Sequence, residues 1–136
     1  MDTAEVVMAY TGALNETDIE FGKRLWQALR TSESFPALGA LWLLDPEAGE
    51  WRLVIASPKV DTVGTRDAYL ELAQITRNIP GNLRQAFKIE LISPKNPMYQ
   101  ALRSVFAQTA SVEGARLGGS VVGGTFIDDA YLYEVR

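Results

Sequence analysis

Two serine–lysine pairs carry the side chains best suited to chemistry. Ser57-Pro58-Lys59 and Ser93-Pro94-Lys95 stand 36 residues apart, each closing an apolar run and each followed by a helical pattern. A hydroxyl and an ammonium two residues apart can share one anionic oxygen. Two such corners side by side could cradle a phosphate or a carboxylate, helped by the amino-terminal dipole of the helix that Asn96-Pro97 opens. Ser57, Lys59, Ser93, Lys95 and Asn96 are therefore the candidate anion-binding residues. The plainer alternative is that Pro58 and Pro94, which have no N–H to give a ladder, merely stop strands and leave the lysines solvated.

Other chemistry is thinly provided for. The chain has neither Cys nor His, so thiolate nucleophiles, Ser-His-Asp arrangements, imidazole bases and His- or Cys-based metal motifs are excluded. Carboxylates remain, and Asp45, Glu47, Glu50, Asp61, Asp128 and Asp129 all fall in stretches that read as turns, where acids serve local hydrogen bonds. A magnesium-dependent nuclease would place an acid two residues before a strand lysine, and here Ser57 and Ser93 occupy those places. Gly119 and Gly124-Thr125 have the spacing of a phosphate-binding loop but lack its lysine, and they lead into a strand where that loop leads into a helix. Glycines that let strands bend or approach closely explain them better. No catalytic residue, metal ligand or cofactor is assigned.

The elements that must position these residues follow from periodicity. Residues 1–14 fit a strand or a helix equally. Thr17-Asp18-Ile19-Glu20 has the pattern of a capping box, and Phe21, Leu25, Ala28 and Leu29 form the apolar stripe of the helix it would open. Residues 37–44 and 51–56 are apolar runs joined by a segment containing Pro46 and Gly49, an antiparallel hairpin. A loop over 60–64 leads to a helix over 65–78. The run 87–92 alternates, as an edge strand does, and Asn96 with Pro97 starts a helix that buries Met98, Ala101, Leu102 and Val105. The last two strands are expected to turn at Asp128-Asp129, leaving 130–135 as an open edge that invites self-pairing.

The result is an α+β fold of order α-β-β-α-β-α-β-β: a mixed sheet of about five strands with one central βαβ unit and helices packed on it. The 36-residue repeat suits such a unit and puts both Ser-Pro-Lys corners at one end of the sheet. A chain of 136 residues fits a single domain, 1–136, able to bury roughly two thirds of its unfolded surface. Acidic residues at the amino terminus and the lack of a long apolar run predict a cytoplasmic protein with no membrane partner.

The net charge of −4 is uneven. Residues 1–50 hold three basic and nine acidic groups, 51–110 eight and four, and the remainder two and four, so the repeated unit is the basic part of an acidic chain. Nucleic acid is disfavoured as a partner, whereas a small anionic ligand is not. The reading favoured over an enzyme is a non-catalytic binding or assembly module with a protein partner or a second copy, a homodimer being its simplest form. The alternative is a carboxylate-dependent phosphoester hydrolase.

Overall fold

A computed structural model describes residues 14–80, 88–106 and 112–136. All of the ambiguous segment 1–14 except Leu14, and the expected first residue of the third strand, Phe87, lie outside them. Five strands form one sheet: β1 (Gly39–Asp45), β2 (Glu50–Ala56), β3 (Lys88–Ile92), β4 (Ala115–Val122) and β5 (Thr125–Val135), in the spatial order β3-β2-β1-β5-β4. Four helices accompany them among the described residues: α1 (Glu16–Arg30), α2 (Lys59–Thr62), α3 (Thr65–Thr76) and α4 (Pro97–Phe106). The class is α+β with a mixed sheet. Only β2 and β3 run parallel, and with the helices between them they make the βαβ unit, which occupies one end of the sheet.

Both faces of the sheet are covered. Phe21, Leu25, Trp26 and Leu29 of α1 and Ala68 and Leu72 of α3 pack on Trp42, Leu53, Ile55, Leu91 and Tyr133. Met98, Tyr99 and Leu102 of α4 pack on Leu41, Val54, Ile127, Ala130 and Leu132 from the other side. Burial on both faces explains why β1 and β2 are apolar throughout. Helix α1 comes close enough to the sheet that a methyl at Gly22 would collide with the Tyr133 hydroxyl and the Trp42 indole. That hydroxyl accepts from Trp42 Nε1 at 2.8 Å and donates to the Ile19 carbonyl at 2.6 Å, and burial raises its pKa well above the usual tyrosine value.

Several local expectations change. Asn15, not Thr17, caps α1, its side chain accepting from Asp18 N at 2.8 Å. Residues 59–62 are a helical turn rather than loop, and α3 ends at Thr76. On α4 Tyr99 is buried while Val105 is 64 % exposed, because the face is set by the sheet's position and not by apolar spacing alone. The largest correction concerns the terminal hairpin. It turns at Gly123-Gly124, both at positive φ (58° and 81°), which a primed two-residue turn requires and Asp-Asp satisfies poorly. Asp128 and Asp129 therefore lie within β5. The chain then returns between β1 and β4, so residues 130–135 are interior to the sheet and, among the described residues, the edge strand on this side is β4.

Candidate functional site

The parallel register pairs Ala56 with Ile92, so the two Ser-Pro-Lys corners do end side by side, joined by a bond from Ser57 N to the Ile92 carbonyl at 3.0 Å. The serines form the same turn twice, Ser57 Oγ accepting from Lys59 N at 3.1 Å and Ser93 Oγ from Lys95 N at 3.0 Å. Their surroundings differ. Ser57 is fully buried and donates to the Pro36 carbonyl. Ser93 donates to Asp61 Oδ2 at 2.7 Å. Lys59, its side chain 19 % exposed, pairs with Glu71 Oε1 at 2.8 Å. Asn96 Oδ1 accepts from Met98 N at 2.9 Å and Tyr99 N at 3.2 Å, the two amides of the α4 amino terminus that an anion would otherwise use. Lys95 is exposed and has no ion pair among the described residues.

Chemically, then, the corner gathers the expected residues and gives most of them partners inside the chain. Asp61 and Glu71, which the sequence pattern did not connect to it, supply the negative oxygens an anion would bring. An incoming phosphate would have to displace a carboxylate from Ser93 or Lys59 and tolerate the repulsion of both acids. Among the described residues no three acid groups stand close enough to share a metal ion. A second charged cluster, Arg52 with Asp45 at 2.6 Å and Glu90 at 3.2 Å, ties β1, β2 and β3 together. Amides of Ala48 and Glu47 and the Arg52 guanidinium hold the Asp45 carboxyl below its ordinary range despite some desolvation.

Two recesses lie elsewhere. One, of about 530 Å³, runs along the first turns of α1 beside Phe21, Arg24 and Pro80. The other, of about 200 Å³, lies between α1 and the end of β5, where Glu134 takes Trp26 Nε1 at 3.0 Å, Arg30 at 3.4 Å and Arg136 at 3.5 Å. Its cations are thus already neutralised in large part.

The two edges of the sheet differ in how their backbone is covered among the described residues. At the β3 edge Leu91 N–H donates to the Tyr69 hydroxyl at 2.8 Å, so α3 closes part of it. At the opposite edge β4 pairs with β5 alone among the described residues, at seven of its eight positions, and only Ser120 Oγ folds back, onto the Gly118 carbonyl at 3.2 Å. Beside the turn, Val121 (71 % exposed) and Phe126 (54 %) face each other across β4 and β5. Sequence reading missed this edge because the alternation there is broken by Gly118-Gly119. No protein-family model, curated protein or solved structure matches the chain.

Proposed function

We propose that the protein is a non-catalytic assembly module that takes a β-strand from another polypeptide along the free edge of β4. The observation that carries this reading is the eight-residue edge with its exposed Val121–Phe126 pair. Such an edge offers unpaired N–H and C=O groups, and soluble proteins usually blunt one with lysine, proline or a covering element. Here Arg116, the cation of β4 itself, is turned onto Asp129 at 2.6 Å and does not guard the edge. Main-chain bonds would supply affinity and the apolar pair a preference for side chains on one face. The hydrolase reading has less support, since Asp61 and Glu71, the acids at the corner, are engaged by Ser93 and Lys59.

The test is selection of a random displayed peptide library on the immobilised protein, with Val121→Lys as the counter-target. Enriched peptides should be rich in β-branched residues, bind the wild type and lose at least about tenfold in affinity on the variant, a change of about 1.4 kcal/mol. Peptides that bind both proteins alike, or none at all on protein immobilised sparsely enough to be monomeric, would overturn the reading.

A further inference from the structure

Resting on that reading, we infer that the strand β4 receives is β4 of a second copy, running antiparallel about a two-fold axis that passes between Gly118 and Gly119. The inference comes from which face each residue occupies. Ala115 and Leu117 belong to the core under α4, and so does Val122, five residues after Leu117. In an uninterrupted strand, residues an odd number apart point to opposite faces. The alternation of β4 therefore changes hand between Leu117 and Val122, where Gly119 adopts a φ of +62°. Its partner repeats the change: Ile127 and Ala130, three apart on β5, share that same core, and the pairing register, interrupted at Gly119, is the same on either side of it, from Ala115↔Leu132 to Val122↔Thr125.

A two-fold axis perpendicular to a sheet requires residues that oppose each other to lie on the same face. For eight residues to overlap in full, the axis must fall between the fourth and fifth, which sets opposite parities against each other and is forbidden to a regular strand. The change of hand at Gly119 removes the conflict. Ala115 then opposes Val122 of the second copy and Leu117 opposes Ser120, all on the α4 face. Arg116 opposes Val121 on the α1 face, and only glycines meet at the axis. The apolar layer beneath α4 continues from one copy into the next, and the exposed Val121 lies opposite Arg116, which its own chain's Asp129 has already drawn aside. A strand from an unrelated protein would gain nothing from this symmetry.

The chain has no cysteine, so single substitutions report the register cleanly. Opposed residues in an antiparallel pair lie about 4.5–5.5 Å apart at Cα, within the range a disulfide spans. Mixing Arg116→Cys chains with Val121→Cys chains under mild oxidation should give cross-linked dimer on the order of tenfold above either variant alone, whose sulfurs would be several residues out of register. An Arg116→Cys with Phe126→Cys mixture should stay at background, because Phe126 lies one strand further away. Sedimentation velocity of the wild type should show a concentration-dependent dimer that Val121→Lys abolishes. Equal cross-linking in all mixtures, or a wild type that sediments as a monomer at every concentration, would overturn the inference. If the monomer still binds the selected peptides, strand uptake stands and only the second copy is wrong; if it binds none, both fall.

Discussion

The Ser-Pro-Lys corner and the β4 edge sit at opposite sides of one sheet and have opposite fates. The corner has the richer chemistry, with two hydroxyls, two ammonium groups and a helix terminus within a few residues, yet Pro36, Asp61, Glu71 and the Asn96 cap take up most of it. The edge has little chemistry in its side chains, and its outward backbone has no neighbouring strand among the described residues. A polar group is available for binding only when the fold leaves it unpaired, and residue type does not reveal that.

The largest expected effect tests whether the corner is architecture. Ser57→Ala removes a buried hydroxyl that serves both Pro36 and Lys59, leaving a carbonyl and an N–H without it, at a cost of about 1–3 kcal/mol read as a lower denaturation midpoint. Ser93→Ala, at the half-buried twin, should cost less than about 1 kcal/mol. Equal losses would mean that the two corners are not differently built.

Next comes alkali, which probes the helix between the two regions. Tyr99 of α4 is buried and donates to the Arg136 carbonyl at 3.0 Å, and burial pushes its pKa up to about 12. The folded protein then holds a proton that the unfolded chain releases near 10, so stability is intact below pH 10 and falls as pH rises from about 10 to about 12. Chemical denaturation across that window should show the decline. Tyr99→Phe should make it shallower without abolishing it, since Tyr133 is raised as well.

Lys59→Ala should be milder, about 0.5–1 kcal/mol for a partly exposed pair. Phosphate and pyrophosphate should shift the melting of wild type, Lys59→Ala and Lys95→Ala alike. A shift confined to the wild type would reverse the comparison and make the corner the binding site. Smallest of all for stability, compared at a concentration where both proteins are monomeric, is Val121→Lys, within about 0.5 kcal/mol because the side chain is exposed, while it removes association. A marked loss of stability there would show that Val121 belongs to the fold rather than to a surface.

What the sequence determined by itself is local. Period-two and period-3.6 patterns marked the strands and helices, Asn96-Pro97 marked the start of α4, and a 36-residue spacing implied two parallel strands ending together, as Ala56 and Ile92 do. Tertiary structure alone decided the rest. Whether Ser93 is free depends on Asp61, 32 residues earlier in the chain. Which strand is the edge depends on β5 inserting between β1 and β4, a choice set by how apolar faces are buried and not by any residue in 130–135. Even the turn at Gly123-Gly124 is supported from outside the hairpin, because Pro97 of α4 leaves no room for a side chain at Gly123. Propensity acts between neighbours in sequence, whereas pairing and burial act between neighbours in space, and the availability of a group for binding belongs wholly to the second.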